Sequence, residues 1–75
     1  MRTIEKVMPL PGFRLAAVFT DGATRTFDVK PLFALEAFRA LDDPAAFATV
    51  RNHGYDVEWA SGADLSADTL YLDGR

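Results

Sequence analysis

"FRLAAVFTDGATRTFDV", residues Phe13 to Val29, decides the fold. Phe13, Leu15, Ala17 and Phe19 alternate with Arg14, Ala16, Val18 and Thr20, the period of a strand with one face in a core. Beyond Asp21-Gly22, a second strand runs from Ala23 to Val29, with Arg25, Phe27 and Val29 on one parity. The side chains then select the turn. A two-residue loop at Asp21-Gly22 would pair Leu15 with Asp28 and put the apolar rows on opposite faces. A three-residue loop, Thr20-Asp21-Gly22, pairs Leu15 with Phe27 and Phe13 with Val29. That register gathers the apolar residues on one face and leaves Arg14, Thr24, Thr26 and Asp28 on the other. Such a loop is a type I turn followed by a left-handed residue, so a positive φ is predicted at Gly22.

Working outward, Thr3 to Val7 reads as a short strand of open register, because Ile4 and Val7 cannot share a face without a bulge. Pro9, Pro11 and Gly12 read as a break. On the other side, Pro31 ends the hairpin. Leu32, Phe33, Leu35, Phe38 and Leu41 follow at a spacing that is neither helix nor strand, which reads as a helical turn or irregular cover on the sheet. Asp43 as N-cap and Pro44 at the first helical position predict a helix to about Thr49, with Phe47 and Val50 inward. Arg51 to Gly54 is a strand end or turn. Tyr55, Val57 and Trp59 then alternate with Asp56 and Glu58 as a strand with one wet face, and Ser61-Gly62 is a turn.

The last segment closes the fold. With Ser66 as N-cap, Leu65 before it and Leu70 four residues into the helix form a hydrophobic staple. Asp68 falls in the first turn, where the helix dipole favours a carboxylate. Asp64 can accept backbone N–H groups in the preceding turn or act as an alternative cap. Trp59 is expected to cover the junction between the sheet and the terminal helix. The expectation is one α+β domain over residues 1–75: a small antiparallel sheet of about four to five strands with two short helices, in the order β-β-β-α-β-α, without internal repeat or linker.

Composition bounds the chemistry. An apolar fraction of 49% with six Phe, two Tyr and one Trp is enough to collapse a 75-residue chain into one core. With no cysteine there is neither a disulfide nor a thiolate zinc site, so self-association is the remaining common way to stabilise so small a domain. No run approaches the roughly 18 apolar residues of a membrane span, and Glu5 and Lys6 stand where a signal peptide would need an apolar run. A soluble cytoplasmic protein, with no membrane partner, is the default expectation. The formal charge of −3 is unevenly placed, with five acids from Asp56 onward against Arg75 alone. That balance, and the scatter of Arg14, Arg25, Arg39 and Arg51, argue against direct nucleic-acid binding.

Reactive constellations are sparse. Ser61 or Ser66 with His53 and an aspartate would need a nucleophile held in an exposed, strained turn, and no such turn is recognisable. His53, Asp56 and Glu58 are the nearest candidate ion site, with two carboxylates on one strand face and a histidine of unknown direction. Ala16 and Val18 lie opposite Phe13, Leu15 and Phe19, so the second face of the hairpin is not plainly polar. Either another chain covers it, or the Leu32–Leu41 segment or the terminal helix does.

W-x-x-G-x-D-L-x-x-x-x-L-Y, here Trp59, Gly62, Asp64, Leu65, Leu70 and Tyr71, resembles the closing signature of the small bacterial family known as domain of unknown function 2442 (DUF2442). The family's other marks follow in order: Phe19, Asp21 and Gly22; then Phe27, Asp28, Val29, Pro31 and Leu32; then Leu41, Asp43, Pro44 and Phe47. The resemblance covers nearly the whole chain. It implies a small α+β fold that in some members pairs or swaps strands into dimers. It also implies genomic company with a second small protein, in a layout like a toxin–antitoxin pair. Some relatives carry a helix-turn-helix domain after this one; residues 1–75 do not include it, so a DNA-reading role is not expected to carry over. The expectation is a non-enzymatic interaction module without cofactor or metal, working as a homodimer or with a small cognate protein. The alternative is a small enzyme or divalent-ion-binding protein using His53, Asp56, Glu58 or Asp64.

Overall fold

The computed structural model describes residues 2–75. Three strands, β1 (Ile4–Leu10), β2 (Arg14–Phe19) and β3 (Thr24–Asp28), form an antiparallel sheet in chain order. Leu15 stands opposite Phe27, and the Val29 N–H donates to the Phe13 carbonyl. The loop between β2 and β3 is Thr20-Asp21-Gly22, with φ of 90° at Gly22, as the apolar rows require.

β1 is longer than expected. Ile4 faces Phe19 whereas Lys6 faces Val18, so Glu5 is an extra, bulged residue that brings Ile4 and Val7 onto the same inward face. Pro9 does not break the strand, and bond alternation explains why. Phe19 donates to Ala23 and Val29 donates to Phe13, so the odd-numbered residues of β2 bond to β3. Its even-numbered residues therefore bond to β1, to Lys6, Met8 and Leu10. The missing N–H of Pro9 falls on the outer edge, where no ladder bond is lost.

The segment after the hairpin is helical but tight: 3-10 turns at Lys30–Ala34 and Glu36–Leu41, with Leu35 extended between them. They bury Phe38 and Leu41 and pack Leu32 and Phe33 against the core. Helix α1 (Pro44–Phe47) is a single turn, shorter than expected. Asp43 has the extended backbone of an N-cap, φ −158°, but its carboxylate makes no capping bond. Phe47 is buried, and Val50 is partly buried against the core.

The remainder corrects the expected single sheet. β4 (Arg51–Asn52), β5 (Asp56–Glu58) and β6 (Asp64–Ser66) form a second three-stranded antiparallel sheet, followed by helix α2 (Ala67–Asp73). The order is β-β-β-α-β-β-β-α. Gly54, with φ of 88°, takes the first central position of the two-residue turn between His53 and Asp56, and its partner Tyr55 is 60% exposed rather than inward. Ser61-Gly62 is a hairpin turn, not a link to the helix. Its bonds repeat those of the first hairpin: Trp59 donates to Ala63 and Gly62 to Trp59, as Phe19 donates to Ala23 and Gly22 to Phe19.

The sheets meet at Ile4, whose N–H donates to Gly54 O at 2.7 Å and whose carbonyl accepts from Asn52 Nδ2 at 2.9 Å. The outer edge of β3 is closed by Arg75, which exchanges two backbone bonds with Thr26. Gly74 makes that return possible, because a Cβ there would lie 2.4 Å from Leu70 O. One core joins Ile4, Leu15, Ala17, Phe19 and Val29 of the first sheet to Val57, Trp59 and Leu65 of the second, under Phe38, Leu41, Phe47 and Leu70. No helix among the described residues is long and apolar enough to cross a membrane.

Candidate functional site

The closing stretch folds as its residues dictate. Ser66 Oγ accepts the Thr69 N–H at 3.1 Å, and Leu65 and Leu70 are both buried, so cap and staple form together. Asp68 sits in the first turn and pairs at the surface with Arg2 at 3.1 Å. Asp64 is neither a cap nor a turn acceptor; it belongs to β6, opposite Glu58. Trp59 packs its ring on Phe47 and Phe38. Its indole N–H donates to Phe47 O at 3.0 Å, so it fastens α1 to the second sheet.

The first hairpin and the terminal helix meet at Tyr71. Its ring contacts Phe19 edge-on with centroids 5.0 Å apart, and its hydroxyl donates to Asp21 Oδ2 at 3.4 Å. Asp21 Oδ1 meanwhile holds the turn by accepting the Ala23 N–H at 2.8 Å. Arg2 and Arg25 flank the ring with guanidinium carbons 4.2 and 4.3 Å from its centroid, within cation–π range. Arg25 Nε also donates to the Tyr71 carbonyl at 3.0 Å. A cleft of about 430 Å³ beside this cluster is lined by Arg2, Thr3, Thr20, Asp21 and Asp68 with Phe19, but its polar groups are bonded to one another or to backbone. Sequence reading missed the two arginines. The available signal was Arg25 itself, a cation on the inward parity of β3 that needed a partner inside.

The remaining signature residues have local tasks. Asp28 Oδ1 accepts the Lys30 N–H at 3.1 Å as the chain leaves β3, Pro44 opens α1, and Gly62 with φ of 95° makes the second hairpin turn. Ser61 Oγ accepts the Ala63 N–H at 3.4 Å, the role Asp21 plays in the first hairpin. Neither serine hydroxyl bonds to His53 among the described residues.

His53 does join two of its expected neighbours. Its Nδ1 lies 3.3 Å from Asp56 Oδ1 and 3.7 Å from Glu58 Oε1, on the wet face of the second sheet. Asp64 stands on that face too, one strand over, while Arg51 faces Glu58 from β4. All three members of the histidine cluster are solvent-accessible, with side-chain exposures of 36–45%. Among the described residues, no group of three His, Cys, Asp or Glu side chains is arranged to hold a metal ion. Every buried side-chain nitrogen or oxygen among them has a hydrogen-bond partner.

A family model described as "Protein of unknown function (DUF2442)" matches residues 4–75, and the chain belongs to that family. No curated protein and no solved structure matches it.

Proposed function

We propose that this member of the DUF2442 family is a non-enzymatic interaction module, which pairs with a second copy or a small cognate protein as the antitoxin-like half of a gene pair. The observation that carries this reading is the outer edge of β1. Arg75 closes the opposite edge of the sheet, and Gly54 with Asn52 closes β1 at Ile4. Past Ile4, no backbone bond from another described segment reaches that edge. By strand alternation the N–H and C=O of Val7 point outward there, unpaired among the described residues. A second chain can satisfy them by adding a strand. Asp21, Asp28, Ser61 and Ser66 are engaged in holding turns and a helix cap, which supports a binding role over a catalytic one for these residues.

Size-exclusion chromatography with light scattering at micromolar concentration, with and without the product of the neighbouring gene, tests the proposal. A dimer or a stable complex is expected. A chain that stays single and ignores that product removes the basis of the reading.

A further inference from the structure

The two outer edges of the first sheet differ in what they offer. The open stretch of β1 lies between Ile4, bonded to the second sheet, and Pro9, which has no N–H. β3 offers more. Its odd-numbered residues bond to β2, so Thr24, Thr26 and Asp28 turn their N–H and C=O groups to the outer edge. The Thr24 carbonyl accepts Arg25 Nη1 at 2.8 Å, which leaves its second lone pair free. A second β3 laid antiparallel, with Thr26 facing Thr26, brings Thr24 opposite Asp28 on both sides, and each facing pair can exchange two bonds. Arg25 then stands opposite Phe27, so no like charges meet. By its backbone alone, β3 is the better template for a copy of itself.

What occupies that edge is the residue pair following α2. Thr26 N–H donates to Arg75 O at 2.7 Å, and Arg75 N–H donates to Thr26 O at 2.9 Å. This antiparallel pair sits at the centre of the three outward residues, so no strand can add from Thr24 to Asp28 while Arg75 is in place. Gly74 sets the course of the tail. Its N–H donates to Leu70 O at 3.1 Å, and a Cβ on it would collide with Leu70 O and lie 3.0 Å from Arg25 Cβ.

We infer that Gly74 and Arg75 act as an edge guard, which caps β3 at Thr26 and keeps a second copy of this chain from adding there. The guard decides how far association can go. A chain that pairs through β1 alone stops at two copies, whereas one with β1 and β3 both open adds copies without closing. That consequence rests on the reading of β1 as a pairing edge; the guard itself does not.

Two full-length variants test it by light scattering against the parent at the same high micromolar concentration, each shown to fold by circular dichroism melting. Gly74→Val drives the tail off by collision. Arg75→Pro, at an exposed position, removes the N–H that Thr26 O accepts. Both are expected to reach a mass about twice the parent's or more. Adding Thr24→Pro should return each to the parent's value, because this N–H faces outward and the first residue of an edge strand tolerates proline. Growth that continues with concentration supports the guard with β1 open as well. Growth that stops at a pair, from a parent that is single, supports the guard and removes β1 pairing. Folded variants that keep the parent's mass, or a rise that Thr24→Pro leaves in place, would overturn the inference.

Discussion

At the scale of single residues, two glycines carry more of the architecture than any polar side chain. Gly22 and Gly62 end equivalent three-residue loops with φ of 90° and 95°, and each follows an aromatic residue that enters the core, Phe19 or Trp59. Open space surrounds both, so an added methyl would meet no neighbour and the penalty is purely conformational. Gly22→Ala and Gly62→Ala are therefore each expected to destabilise the fold by roughly 1–2 kcal/mol in urea denaturation. A chemically synthesised chain with D-alanine at either position should recover that stability. An L-alanine variant as stable as the parent would show that the loops are free to take another conformation. Gly22 was legible in the sequence because the apolar rows on either side admitted one register only. Gly62 was half legible: its turn was evident, but the strand after it was not.

At the scale of elements, legibility followed length. The alternation from Phe13 to Phe19 repeats often enough to establish both strand and face, whereas β4 has two residues and β6 three, too few to display a period. Ser66 adds to the ambiguity by serving as the last residue of β6 and the cap of α2. The bulge at Glu5 was signalled by the misfit of Ile4 and Val7, and Pro9 misled because its place on an outer edge depends on tertiary pairing. In the cover segment, Leu32, Leu35, Phe38 and Leu41 recur every third residue, the period of a 3-10 helix. The extended break at Leu35 frees that side chain from the row, leaving it 54% exposed. The two helix starts offer a direct contrast. Ser66 caps α2 with its side chain, while Asp43 precedes α1 with the right backbone and no side-chain bond. Ser66→Ala should cost about 0.5–2 kcal/mol. Asp43→Ala should stay within about 0.5 kcal/mol of the parent by thermal or chemical denaturation. Equal losses at the two sites would contradict the assignment of these caps.

At the scale of the whole molecule, the candidate chemistry was legible as residue types but not as a site. The sequence places His53, Asp56 and Glu58 together, and the fold does bring them within 3.3 and 3.7 Å, on an open strand face. It could not show that Phe19 and Asp21 meet Tyr71 between two arginines, because that contact joins segments some fifty residues apart. What the assembled molecule leaves open is backbone and surface: the edge of β1 and the outward face of its sheet. The most direct measurement of the edge is amide hydrogen exchange at Val7, followed by mass spectrometry or NMR across a range of chain concentrations. If a second strand adds there, the Val7 amide becomes protected as concentration rises, while the amides of Lys6 and Met8, already bonded to β2, keep the protection they have in the dilute chain. Exchange at Val7 that stays fast and independent of concentration, alone and with the neighbouring gene's product, would contradict the account.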